Sequence, residues 1–406
     1  MLVLTSLLLL HHSLAAAQRQ PRSSSTSVTI SNIEPRLSTD GEIVNAHDGT
    51  VRWFNGKWFM HAAQYGECAD PPVHGCQQSG SNRTLSCGFE PDHNISIWSS
   101  PDLSSGSWQF EGQAVQCTEA PHCSILYRPH LVWNPGTKLY VLFWNFVNKD
   151  GGQPHKGNAA ATASSPAGPF AIASPLVNTT HPSGDFDVFV DKDGRGYMIY
   201  SARHVIFIEQ LTPDFLQGTG IGAEIQGGNT KYPPLTGFPV DFVEAPVLFE
   251  RHGIYYALFG HCCCFCYQGS GMYVFQAPHP LGPWKQQGSA DLGCVNGTTP
   301  TPAHPAWGSK SLPLTAAATP GQGCLYKNAE QASVTRAQQN FVIQVQTASG
   351  EYEYIWTGDR WMQAPDGVKG HEPQFWGRLD FDAAGNVLPL KWVNAVSIEM
   401  KRDQGQ

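Results

Sequence analysis

Asp48, Asp185 and Glu244 head three segments of the same design, and three acids brought to one place could move protons. One carboxylic acid would give a proton to a leaving oxygen, and a second, ionised, would take one from water. A third nearby would raise the pKa of the acid by like-charge repulsion and keep it protonated. Two further segments share the design and are headed by Arg128 and Gln338. A cation among the carboxylates would hold the base ionised and order the group. Taken singly, an Asp or Glu at a strand end is more simply read as a turn cap or an ion pair with Arg128.

The segments that must position these residues read HDGTVRWFNGKWFM around Asp48, RPHLVWNPGTKLYV from Arg128 and DFDVFVDKDGRGYMIY from Asp185. The last two are EAPVLFERHGIYYALF from Glu244 and QQNFVIQVQTASGEYEYIW from Gln338. Each is a polar residue, an apolar strand, a turn rich in Gly, Asn, Asp or Pro, and an aromatic strand. The turns Asn55-Gly56, Asn134-Pro135-Gly136, Asp193-Gly194 and His252-Gly253 have hairpin chemistry. Arg128 to Tyr140, Asp185 to Tyr197 and Glu244 to Tyr256 are each 12 residues, an offset that Asp187 does not keep. Further strand-like runs follow at 95, 159, 204 and 272, so each unit has three or four strands. A hairpin repeated five times predicts an all-β fold, a five-bladed β-propeller, whose leading residues gather round one axis. Across such a funnel two carboxyl groups about 6.5–9.5 Å apart would suit hydrolysis of a glycosidic bond with inversion.

Composition agrees with turn-rich β structure. Of 406 residues only 14% are charged, while Gly (41) and Pro (30) are abundant. The net charge of −8 and the lack of a Lys/Arg cluster exclude a nucleic-acid partner. Residues 1–17, MLVLTSLLLLHHSLAAA, read as a signal peptide cut near Ala17, and no segment is long enough to span a membrane. Residues 18–40 read as a flexible lead-in and 41–400 as the propeller. The 11 cysteines and the sequons at Asn82, Asn94, Asn178 and Asn296 fit a secreted, disulfide-bonded glycoprotein. The run His261-Cys262-Cys263-Cys264-Phe265-Cys266 reads as disulfide chemistry before a metal site. Among the aromatics, Trp53, Trp133, Trp144, Tyr127, Phe265, Trp361 and Trp376 are candidates to stack on sugar rings, although core packing is the simpler reading of any one.

The motifs resemble those of the family 43 glycoside hydrolases, which are five-bladed β-propellers. The matching stretches are His47-Asp48-Gly49, the run from Asp185 to Gly194, and Glu244-Ala245-Pro246. The resemblance implies Asp48 as general base, Glu244 as general acid, and Asp185 as the residue that orients the acid and raises its pKa. It implies a polysaccharide or oligosaccharide substrate, no required cofactor, and a calcium ion at the axis with His261 near it. A finer likeness is to the exo-β-1,3-galactanase branch, through Ala46-His47, Arg128-Pro129, Gly358-Asp359-Arg360-Trp361 and the fifth-blade Gln338. That branch lacks the first-blade Asp and uses the Gln in place of the base, whereas this chain has both. Tyr127 stands where the branch has an acid. Substrate contacts are expected from Arg128, Gln338, His47, Tyr127, Trp361 and Phe265. The rival readings are an α-L-arabinofuranosidase or β-xylosidase of the same family, and a sugar-binding propeller without catalysis.

Overall fold

The computed structural model describes residues 25–65, 94–116, 125–147, 156–202, 205–226, 243–261, 270, 272–287, 294–295, 299–300, 313–314, 332–333, 335–361, 363–364, 366–402 and 404. These residues are almost entirely β, folded as a five-bladed propeller with no α-helix among them. The innermost strands of the blades are His47–Phe54, Ile125–Asn134, Phe186–Val190, Val243–Arg251 and Gln338–Gln346. Each pairs antiparallel with the aromatic strand that follows it. The runs at 95, 159, 204 and 272 form the third strands of the first four blades; among the described residues these blades have four strands each and the fifth has three.

The hairpins follow their turn residues. Asn55 and Gly56 both have positive φ (51° and 85°), as do His252 and Gly253 (51° and 82°), the geometry of a two-residue turn that matches strand twist. The Asn134 side chain caps its own turn, its Oδ1 accepting from Gly136 N at 2.9 Å and Thr137 N at 3.1 Å. Strand alternation sends apolar residues between neighbouring blades. Leu142, Trp144, Ile97 and Phe59 pack together between the first two blades, and Ile199, Ile208, Ala257 and Phe259 between the third and fourth. Burying each large side chain is worth about 1.5–3 kcal/mol.

Residues 25–40 depart from the expected flexible lead-in. Ser25–Ser31 is a strand paired along its length with Ala395–Lys401, because its alternation turns Val28 and Ile30 inward. Asn32 then brackets Trp376 on the outer strand of the fifth blade, donating to its carbonyl and accepting from its N–H, both at 2.8 Å.

The axis is plugged by polar bonds between blades. Asp187, fully buried, contacts His130 Nδ1 at 2.8 Å and accepts from Leu248 N at 2.9 Å, with Arg52 Nη2 3.6 Å away. Asn340 Nδ2 donates to Gly49 O at 2.8 Å and joins the fifth blade to the first. At the turn end of the inner strands a cavity of about 550 Å³ opens, lined by Trp53, Trp133, Phe189 and Glu250 among others. The leading residues lie at the opposite end of the same strands.

Candidate active site

In three of the five blades a β-bulge sets the backbone at or beside the leading residue. In the first, second and fourth blades the inner strand has two residues opposite one: Asp48-Gly49, Arg128-Pro129 and Ala245-Pro246. The first residue of each pair is left-handed, with φ of 55° at Asp48, 50° at Arg128 and 56° at Ala245. A left-handed non-glycine residue costs energy and re-aims its side chain, and such strain gathers at functional sites. Gly49 has a different reason: a Cβ there would collide with the His61 carbonyl oxygen.

The bulges correct the frame in which the blades were aligned. Asp48, Arg128 and Ala245 are equivalent, each six residues before the last strand residue ahead of its turn, Phe54, Asn134 and Arg251. Glu244 is therefore equivalent to His47 and Tyr127, one place earlier in the strand. The equal spacings of Arg128–Tyr140 and Glu244–Tyr256 arise because the second blade's turn is two residues longer, which offsets Glu244 lying one place earlier than Arg128 and Tyr256 one place later than Tyr140. In the third blade the residues at Asp185 carry no bulge, and its carbonyl accepts from Ser201 N at 2.8 Å.

Arg128 is the electrostatic centre. Its Nε donates to Asp185 Oδ2 at 2.9 Å, and its side chain is 3% exposed. Burial pulls its pKa down, but Asp185, Asp48, Asp359 and Glu244 outweigh burial and leave it raised. Carboxylates of the first, third, fourth and fifth blades thus act on one guanidinium. Asp48 is buried, and burial pushes its pKa up to about 7; Arg128 and His47 oppose the rise, while Asp359 and Asp185 add to it. The Tyr127 phenol is held well above its ordinary pKa by burial and then by Asp185, Asp48 and Glu244, so it remains a donor.

A wall behind Asp48 comes from the fifth blade. Asp48 N donates to Asp359 Oδ2 at 3.1 Å, and Gln374 Nε2 donates to Asp359 Oδ1 at 2.9 Å. His47 Nε2 lies 3.0 Å from Glu372 Oε2, and the His47 ring packs against Tyr65 and Trp361 at centroid distances of 4.9 and 5.2 Å. Trp361 Nε1 donates to Gln338 Oε1 at 2.9 Å. The Gln338 carbonyl is thereby turned to Trp361 and its –NH₂ away from it.

Among the sequence candidates, Asp48, Arg128, Asp185, Glu244, Tyr127, His47, Gln338 and Trp361 are linked through these bonds, ring contacts and charges. Trp144 and Trp376 are buried core residues, and Trp53 and Trp133 line the cavity at the far end. The His261 backbone ends a strand paired with Val243, while Phe265 and the cysteines of that run lie outside the described residues, as does the segment 1–17. The sequence reading missed Asp359, Glu372 and Lys369. The Gly358-Asp359-Arg360-Trp361 motif held a signal for Asp359; the other two lie beyond the repeated hairpin, where the repeat gives no phase.

His47, Asp48 and Asp359 bring ligand-type atoms within 4.8 Å of one another. They do not fit a calcium ion, which takes six to eight oxygens. Both Asp359 oxygens already accept N–H donors, and Arg128 supplies positive charge beside Asp48.

The glycosyl hydrolases family 43 model matches residues 66–298, more than half of the chain. A β-D-galactofuranosidase of Aspergillus niger, xynD, is 30% identical over 192 residues, 43% of this chain and 51% of that protein. The chain thus spans about half the length of this curated relative. Among solved structures, an exo-β-1,3-galactanase from Clostridium thermocellum has a TM-score of 0.64 at 21% identity, over 93% of this chain and 68% of its own. One from Phanerochaete chrysosporium, solved with β-1,3-galactotriose, has a TM-score of 0.62 at 18% identity, over 91% and 68%. A family 43 β-1,3-galactosidase has a TM-score of 0.63 at 20% identity, over 91% of this chain and 64% of its own. These structures share the fold, and the family match assigns the sequence: the chain belongs to glycosyl hydrolase family 43.

Proposed function

We propose that this protein is a secreted, inverting glycoside hydrolase acting on a β-1,3-galactan. The observation that carries the reading is the set of carboxylates from four blades acting on the buried Arg128 guanidinium. A lectin has no use for so much buried charge, which is expensive to keep from water. Glu244 is the general acid. Asp48 is the base that takes a proton from water, with Arg128 favouring its ionised form. Asp185, bonded to Arg128, orients the acid and biases its protonation. Gln338 presents a donor, so it holds a substrate hydroxyl or the attacking water and does not act as base. Tyr127 and Trp361 supply hydrogen-bond and stacking contacts to the sugar.

The choice of galactan rests on Ala46-His47, Arg128-Pro129 and Gly358 to Trp361, and on the fold shared with the exo-β-1,3-galactanases. The Aspergillus relative favours a second reading, action on a furanoside such as galactofuranose or arabinofuranose. Secretion is supported by the apolar segment 1–17 and the 11 cysteines.

Sugar release from β-1,3-galactan, arabinan, xylan and a galactofuranoside tests the reading, with the product anomer followed by proton NMR. Release of galactose of inverted configuration is expected. Glu244→Gln should lower kcat on unactivated galactan by at least about a thousandfold, or roughly 4 kcal/mol of barrier, with the fold intact. Full turnover by that variant would sink the assignment of the acid.

A further inference from the structure

Lys369 and Glu372 are a buried cation and anion that the mechanism above leaves unused. Lys369 lies in the short turn Lys369–His371, between the second and third strands of the fifth blade, and is 2% exposed. Glu372 is 4% exposed, and its Oε2 meets the Lys369 ammonium. The same ammonium sits 3.7 Å from the centroid of the Trp361 ring and 5.0 Å from that of Tyr65. Glu372 Oε2 is also 3.0 Å from His47 Nε2. Taking both charges from water is unfavourable, and an apolar pair of similar volume would usually serve stability as well or better. The pair therefore needs a reason other than stability, and the contacts just described lead toward the site. Its cation faces the indole that bonds Gln338 Oε1, and its anion faces the ring next to Asp48 in the chain.

We propose that Lys369 is a positioning residue: through the Trp361 indole it sets the Gln338 amide, and through Glu372 it sets the His47 ring behind Asp48. This rests on the reading of Gln338 and Asp48 as site groups. Cation–π attraction fixes an indole over the cation, and the Trp361 N–H then fixes which end of the Gln338 amide faces the substrate. Small displacements of such contacts cost rate far out of proportion to their effect on the fold.

The test uses Lys369→Met/Glu372→Gln, which leaves no unpaired buried charge, together with Lys369→Arg, which keeps a cation able to face the rings and pair with Glu372. In protein labelled with ¹⁵N-tryptophan, the Trp361 indole N–H is assigned by its loss in Trp361→Phe. In the double variant that signal should shift and exchange with solvent at least tenfold faster, while Lys369→Arg keeps it near its wild-type place. On a β-1,3-galacto-oligosaccharide the double variant should lose at least tenfold in kcat, with KM changed less than threefold. Lys369→Arg should recover most of that loss. A folded double variant with wild-type kcat and an unmoved indole signal would overturn the proposal. If the wild-type protein hydrolyses none of the sugars, the functional reading falls, and the indole signal alone decides the role of Lys369.

Discussion

Arg128 decides which carboxylate can be charged at working pH. Asp48 is buried, and burial alone would keep it neutral; the guanidinium is the largest force acting the other way. As the proposed base it must be ionised, so the acid limb of kcat/KM should report its pKa, about 7 in the free enzyme. Arg128→Met removes the opposing charge while retaining most of the packed stem. Its kcat/KM profile should have the acid limb displaced upward by about one unit or more, and Arg128→Lys by less. Profiles measured from pH 4.5 to 9.5 check this. An unmoved limb in Arg128→Met would mean that Asp48 is not the base, or that another cation holds it.

Strands and bulges make the residue scale work, and they differ in how far the sequence exposes them. The hairpins, their turns and the third strands of the first four blades were legible because an apolar strand, a Gly-containing turn and an aromatic strand recur in that order in every blade. The bulges were not, since one extra residue changes no composition and turn length can mask it. Hence Glu244 appeared to match Arg128, whereas Ala245 does. Eight of the sequence candidates nonetheless come together in the fold, and the motifs around Asp48, Asp185 and Glu244 are what singled these three out. Gln339 was invisible, although it ties the fourth-blade bulge to the fifth blade. Its Nε2 donates to Ala245 O and Leu258 O, both at 2.7 Å, and its Oε1 accepts from Trp356 Nε1 at 3.2 Å. Gln339→Leu leaves two buried carbonyls and an indole N–H without that partner, a loss of roughly 2–5 kcal/mol in urea unfolding. Because Ala245 follows Glu244, kcat should fall as well. A variant of wild-type stability would show that water or a neighbour replaces the amide.

Over the whole molecule two buried groups oppose each other in the response to pH. Asp48 has its pKa raised from 3.8 to about 7 by burial, so between those values the native state holds a proton that the unfolded chain has lost. Stability from this group therefore falls as pH rises from about 4 to 7, by roughly 4 kcal/mol at most. His61, buried with Nε2 2.8 Å from Pro166 O, has its pKa lowered from 6.5 to about 4. Over that range the unfolded chain holds the extra proton, so stability rises with pH, by roughly 3 kcal/mol at most. His130, lowered chiefly by burial, acts with the same sign as His61. These contributions oppose one another, so across pH 4 to 7 the rise of stability with pH should be smaller in the wild-type protein than in a variant lacking the Asp48 carboxyl. Asp48→Asn removes the falling contribution. Its melting temperature should climb with pH across that window and exceed the wild-type value at pH 8, even as hydrolysis is lost. Calorimetry at pH 4.5, 6 and 8 checks this. A variant less stable than wild type at pH 8 would show that Asp48 is charged at little cost, and that its surroundings are wetter than the buried bulge implies.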